Sequence, residues 1–383
     1  MTKVYVVGIG QTPVREHWDR SARDLAVSSV LEAIEQAGVE KADAIYVGNA
    51  LSGEVAGQEH LAALVADFAG MAGTEAVRIE AAGASGAAAV RMGCLAVASG
   101  LQEVVIVTGV EKMSDLTGPA VEEALVTATD EEYEAIHGLS LVALNALLMR
   151  RYIYEHHVER SDFAHFSINA HKNASNNEYA MFRRPITVDA FVNARMIADP
   201  ISLLDSAPVA DGAASLVLCS EKVVGERANS AVEIVASAAA TDAMALHDRG
   251  NPLFLQGVYE SAQRAYAQAG IGPEDIDLFE LHDAFTIMGA LSLEGCGFAS
   301  EGEGVRLGID GEIALEGRIP ISTMGGLKGR GHPVGATGVY QVVELVQQLR
   351  GEAGANQVDG RLGMAQSIGG SGATVVTHIL KSP

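Results

Sequence analysis

AAGASGAAAVRMGCLAVASG, residues 81–100, begins as a glycine-rich turn and continues as a run of small residues at helical spacing. PVGATGVYQVVELVQQLRG, residues 333–351, has the same plan. Two further pairs lie around them in the same order. EAIEQAGVEKADAIYVGNA (32–50) pairs with RAYAQAGIGPEDIDLFELHDA (264–284), each a helix ending in Gln-Ala-Gly, an acidic turn and an apolar strand. VVIVTGVE (104–111) pairs with RLGMAQSIGG (361–370), an apolar strand running into glycine. Three matches in one order predict a duplicated α/β unit, with mixed or parallel sheets covered by helices. The halves are expected at 1–225 and 226–383, with helices over 20–37 and 258–269.

The first half carries an insertion, about 114–200. There RRYIYEHHVERSDFAHFSINAHKNASNNEYAMFRRPI concentrates aromatics, histidines and arginines that the alanine-glycine halves lack. Long excursions from a compact α/β layer are often lids or binding loops, so this segment is expected to pack over a site.

Composition narrows the function. With 383 residues, 48% of them hydrophobic and 20% charged, the chain has enough material for a large core. Its formal charge of −23 repels nucleic acid and anionic membrane surfaces, so an anionic ligand needs local basic residues and backbone donors. The apolar run at 4–9 is too short for a signal peptide or membrane span, and a cytoplasmic location is expected. Cys94, Cys219 and Cys296 are widely spaced and odd in number, which suggests buried free thiols rather than disulfides or a zinc cluster. VGIGQTP (7–13) has Pro13 where a dinucleotide fingerprint needs its third glycine, and neither a phosphate-loop nor an HExxH motif occurs. His156, His157, His165 and His171 have no acidic or cysteine partner at ligand spacing, so no metal is expected.

Glycines cluster at four segment ends: AAGASG (81–86), GGLKGRGHPVGATG (325–338), SIGGSG (367–372), and the turn beside HDAF (282–285). In an α/β sheet such turns open onto one edge, where ligands collect. His332 sits inside a glycine run and is fixed by Pro333, which suits a residue placed to act.

This set of turns, in this order over nearly the whole chain, resembles the thiolase superfamily, and most of all the sterol-carrier-protein-type and archaeal-type thiolases. GHPVGATG and HDAF carry the resemblance, and DGAASLVL (211–218) looks like the strand closing the first half. The resemblance implies two similar βαβαβαββ halves stacked as five layers, α-β-α-β-α, with a loop domain over a coenzyme A tunnel. It also implies homodimers or homotetramers, coenzyme A or an acyl-CoA as substrate, and no covalently bound cofactor. A small zinc-ribbon OB-fold partner, sometimes beside a hydroxymethylglutaryl-CoA synthase, accompanies archaeal-type relatives.

Residue by residue, the family's nucleophilic cysteine falls at Gly83 and its second, proton-transferring cysteine at Ser367. A serine hydroxyl is a poor base at neutral pH. His332 with His282 would form one oxyanion hole, and the backbone N–H groups of Gly83 and Gly369 a second. Lys172, Arg183, Arg184, Lys328 and Arg330 are candidates for the coenzyme A phosphates. Met181, Phe182, Phe285 and Met288 are candidates for the wall along its pantetheine arm. Cys94 lies about three helical turns beyond Gly83, and Cys296 well beyond HDAF, so neither replaces the missing thiol.

Three accounts follow. The chain is a thiolase-type acyltransferase, acting on the carbon–carbon bond beside a thioester, with its chemistry impaired or altered at Gly83. Or it is a retro-aldolase on β-hydroxyacyl-CoA, like the steroid side-chain aldolases that also lack the cysteine but carry tyrosines at the positions of His282 and His332. Or it is a non-catalytic CoA-binding subunit of an acyl-CoA complex, against which the two histidines count.

Overall fold

A computed structural model describes residues 2–225 and 230–383. The expected boundary at 225/226 therefore abuts residues outside the described ones. The first half runs β1 (Val4–Gln11), α1 (Ala22–Ala37), β2 (Ala44–Gly48), α2 (Ser52–Ala56), α3 (Leu61–Phe68), β3 (Glu75–Ile79), α4 (Ser85–Ser99) and β4 (Val104–Glu111). An excursion follows through α5 (Gly118–Val126), α6 (Leu141–His156), α7 (Ala164–Ala174), α8 (Val188–Val192), β5 (Met196–Ala198) and β6 (Ile201–Ser202). The chain returns through β7 (Gly212–Ser220) and α9 (Glu221–Val224). The second half is β8 (Val232–Thr241), α10 (Gln256–Ala269), β9 (Leu278–Glu280), α11 (Thr286–Gly295), α12 (Gly304–Ile309), α13 (Thr337–Arg350), β10 (Leu362–Gly369) and β11 (Thr374–Lys381).

The strands form a 9-stranded sheet in the order β3-β2-β4-β7-β1-β8-β11-β10-β9. Read outward from the β1–β8 seam, the two sides repeat each other: β1, β7, β4, β2 on one and β8, β11, β10, β9 on the other. Each pair of matched sequences occupies equivalent places in the two sides. The seam is short, Val4↔Ile234 to Val6↔Val232, and joins two sheets into one. The repeat is incomplete. Where the first half has β3, the second keeps only a parallel bridge of Ile321 to Phe279, because Pro320 supplies no N–H and the chain then turns at Gly325 and Gly326.

Local signals explain the helices. Ser21 caps α1 in a reciprocal box with Asp24, and Gly38 ends it in the left-handed conformation. Leu25, Ala26, Val30 and Ala33 form its buried face against β1 and β7. α10 covers β8 and β11 from the other outer side. Between them α4 and α13 pack on each other as the middle layer. Their approach requires glycine, since a Cβ at Gly338 would fall 2.3 Å from the Ala87 nitrogen and one at Gly86 2.7 Å from the Gly335 oxygen. The segment Ala82–Ser99 is long and apolar enough to cross a bilayer, yet it lies in this interior layer. α6 and α7 lean on α11, and the face of α7 also meets the segment Gly326–Arg330, so the inserted segment reaches the second half.

Candidate active site

The turn ahead of α4 is held open by its own polar atoms. Ala82 takes a left-handed φ of 49°, a strain on the order of 1 kcal/mol for a residue with a Cβ. A Glu80 carboxylate oxygen accepts from its N–H at 2.6 Å, and the Ser85 hydroxyl donates to its carbonyl at 2.7 Å. Gly83 follows, buried at the helix entrance. A Cβ there would lie 2.5 Å from the Ile368 carbonyl oxygen, 3.3 Å from His282 Cε1 and 3.5 Å from His282 Nε2. Position 83 therefore points between the end of β10 and the His282 ring.

The equivalent turn of the second half delivers the other histidine. The His332 backbone bridges Val209, and its Nδ1 lies 2.7 Å from the Thr337 hydroxyl, which orients the ring. Glu111, buried at the end of β4, accepts from the backbone N–H of Ala50, Leu51 and Gly335 and from Asn49 Nδ2. Burial pushes its carboxyl up to about 7 against these bonds. It ties the 49–51 loop to the histidine turn.

The rings of His282 and His332 meet edge to face, 5.2 Å between centroids and 86° between planes. Both line one cavity of about 290 Å³, together with Gly83, Ile368 and Gly370. Its remaining wall is mostly apolar and includes Leu125, Leu141 and Val142 of the insertion, and Phe285 and Met288. Burial, with the charges of Lys328 and Arg330 added, lowers His282 to about 3. Burial and then His282 itself hold His332 well below an ordinary histidine. At neutral pH each ring is uncharged, with one N–H to give and one lone pair to accept. Two such rings beside a helix entrance can hold the oxygen of an enolate without adding net charge.

The structure brings Gly83, His282, His332, Phe285 and Met288 to one place and sends several other expected residues elsewhere. The Ser367 hydroxyl donates to Gln341 Oε1 at 2.5 Å in the interior, and Ser367 is not among the residues that line the cavity. Gly369 belongs to β10, with its Cα against the Ala81 carbonyl, and its neighbours Ile368 and Gly370 form the wall instead. Lys328 and Arg330 are corrections of the same kind. Lys328 is 1% exposed and donates to the Asp283 carbonyl; Arg330 is 0% exposed and pairs with Glu344 at 2.6 Å over the Tyr340 ring. Neither can reach a phosphate. Met181 packs half-buried on the core around α4 and α13, outside the cavity, and Phe182 stacks on His171. Lys172, Arg183 and Arg184 stand exposed near that stack without an ion-pair partner among the described residues. Cys94, Cys219 and Cys296 are buried, form no disulfide among the described residues and lie off the cavity, and burial pushes Cys94 up to about 12.

Sequence reasoning missed Glu80, Glu111, Glu122 and Thr337. Thr337 lies inside GHPVGATG, so the motif carried a signal for it; the glutamates carried none, because acidic residues are common throughout this chain.

The family described as "Thiolase, N-terminal domain" matches residues 4–222, and "Thiolase C-terminal domain-like" matches residues 238–382. An acetyl-CoA acetyltransferase of Methanothermobacter thermautotrophicus is 46% identical over 382 residues, covering 99% of both chains. Among solved structures, the Ltp2-ChsH2(DUF35) aldolase superposes with TM-score 0.87 at 26% identity, over 99% of this chain and 98% of that one. Human mitochondrial 3-ketoacyl-CoA thiolase in complex with CoA shares the fold, with TM-score 0.78 at 19% identity over 100% and 98%.

Proposed function

Because the chain belongs to the thiolase family, we propose that it is an acyl-CoA enzyme that makes or breaks the carbon–carbon bond beside a thioester by way of the thioester enolate, without an acyl-enzyme. One observation carries this reading: two neutral imidazoles converge on a cavity at a helix entrance whose wall, among the described residues, holds no thiol. The thioester oxygen takes hydrogen bonds from the two rings. For a second oxygen the donor proposed is the Gly83 N–H at the helix entrance. The α-proton, or the β-hydroxyl proton in the reverse sense, leaves to an acceptor on the wall. Those present are the carboxylates of Glu80 and Glu122, because the second nitrogen of each ring faces away from the substrate, His332 Nδ1 towards the Thr337 hydroxyl and His282 Nδ1 into the interior.

The likeness to an acetyl-CoA acetyltransferase supports the acyltransferase class, with altered turnover because no nucleophile occupies position 83. A second reading, retro-aldol cleavage of a β-hydroxyacyl-CoA, is favoured by the likeness to the Ltp2-ChsH2(DUF35) aldolase. It forms the same enolate, breaks Cα–Cβ as the β-hydroxyl gives up its proton, and needs no sulfur. That neighbour's name joins Ltp2 to ChsH2(DUF35), which supports the expectation of a second, different partner chain. A dimer or tetramer accords with the family. Coenzyme A phosphates are assigned to Lys172, Arg183 and Arg184.

Solvent exchange tests the proposal. The protein in deuterated buffer with acetyl-CoA should wash deuterium into the methyl group, and His332→Ala or His282→Ala should abolish this. Binding without exchange would sink the proposal and leave the non-catalytic subunit. Release of aldehyde or ketone from β-hydroxyacyl-CoAs selects the second reading; its absence alongside exchange retains the first.

A further inference from the structure

The cavity wall carries charge of one sign. Apart from the two neutral imidazoles its titratable side chains are Glu80 and Glu122, and among the described residues no lysine or arginine lines it. Basic groups that could offset them lie elsewhere: Lys328 and Arg330 are sealed in the interior, and Lys172, Arg183 and Arg184 are on the outside. Glu80 is pinned at the turn before Gly83 by the Ala82 N–H. Glu122 projects from the same face of α5 as Leu125, with no ion pair among the described residues, and partial burial raises its carboxyl above the usual carboxylate range. Both carboxylates keep solvent contact, so the negative charge stands where the cavity opens.

We infer that this cavity selects uncharged acyl groups and disfavours acyl chains that end in a carboxylate, with Glu80 and Glu122 as the specificity-determining residues. The inference rests on the acyl-CoA reading above and narrows its substrate class. An ω-carboxylate entering the cavity comes within reach of two like charges at its opening, with no lysine or arginine among the described lining residues to meet it. The coenzyme A anion escapes this repulsion because its phosphates remain outside.

The matched probes are 3-oxohexanoyl-CoA and 3-oxoadipyl-CoA, which share a six-carbon chain and differ in the terminal carboxylate. Calorimetric titration of the full chain at low salt should show the neutral thioester binding roughly tenfold more tightly. Glu122→Gln should narrow that ratio, and Glu80→Gln added to it should bring the two within about twofold. Glu80→Gln retains a carbonyl oxygen for the Ala82 N–H, and Glu122 has no hydrogen-bond or ion-pair partner among the described residues to lose, so both variants should fold. Equal binding of the two probes to the unaltered protein, or a ratio unmoved by the double substitution, overturns the inference alone. Failure of the folded protein to bind even the neutral thioester overturns the acyl-CoA reading and this inference with it.

Discussion

The imidazoles of His282 and His332 stand edge to face, 5.2 Å apart, although one follows β9 and the other opens the turn before α13. Their contact depends on two anchors. The Asp283 carboxylate accepts the Leu327 N–H at 2.7 Å, and Glu111 accepts the Gly335 N–H at 2.9 Å. Together these fasten both ends of the glycine-rich segment that carries His332.

Position 83 offers a direct test. In Gly83→Cys the Cβ would begin 2.5 Å from the Ile368 carbonyl, so the turn must shift, at a cost of about 1–3 kcal/mol. The sulfur would lie at a helix entrance beside His282, an environment that favours a thiolate. Intact-mass measurement after mixing with acetoacetyl-CoA should show an acyl adduct on the variant and none on the unaltered chain. An adduct on the unaltered chain would contradict the noncovalent mechanism.

Two buried groups bend the pH dependence of stability in opposite directions. His282 titrates at about 3 in the fold against 6.5 ordinarily, so the unfolded chain binds more protons between those values. The stability it contributes is complete above about pH 6.5 and is lost as pH falls toward 3. Burial, then the neighbouring Glu344, raises Glu280 from 4.5 to about 8. Its contribution is complete below pH 4.5 and is lost as pH rises through 8. Urea unfolding across this range should show Glu280→Gln flattening the alkaline limb while the amide oxygen still accepts from Thr323. An unchanged alkaline slope would show that Glu280 is ionised in the fold.

The basic residues separate into two groups by what they do. Arg330→Met leaves Glu344 without its buried partner and should cost about 3 kcal/mol, with little change in affinity for coenzyme A where the variant remains folded. Replacing Lys172, Arg183 and Arg184 together by alanine should do the reverse: a melting temperature near that of the parent and affinity weakened on the order of tenfold. Isothermal titration with free coenzyme A and thermal melts distinguish the two patterns.

Gln341 is the hidden polar hub behind the site. Its Nε2 donates to the carbonyls of Glu280, Leu281 and Gln366, and its Oε1 takes the Ser367 hydroxyl. Gln341→Leu should destabilise by roughly 3 kcal/mol, because buried acceptors are left bare. Ser367→Ala should cost only about 1 kcal/mol and leave α-proton exchange at its parental rate. A large loss of exchange in Ser367→Ala would show that the serine does carry the proton.

The duplication, the positions of α1 and α10, the two glycine turns and the two histidines were legible in the sequence. Each depends on neighbours within one or two turns of chain: a Ser21 cap, a Gly38 stop, an apolar strand ending in glycine, an imidazole set between Gly331 and Pro333. What the polar residues around those turns would face was not legible. Lys328 and Arg330 look like surface cations beside His332, yet Asp283, from the HDAF turn, and Glu344, from α13, take them inside. Ser367 lies at the right place along β10 for proton transfer, but Gln341 draws its hydroxyl away from the cavity. Glu122 has no signature at all and acquires its role only because α5 folds back over the first half. Backbone conformation is set mainly by local sterics and hydrogen bonding, which a sequence records; whether a charge ends in a cavity, in an ion pair or in water is set by the packing of segments far apart in the chain, and only the assembled layers decide it.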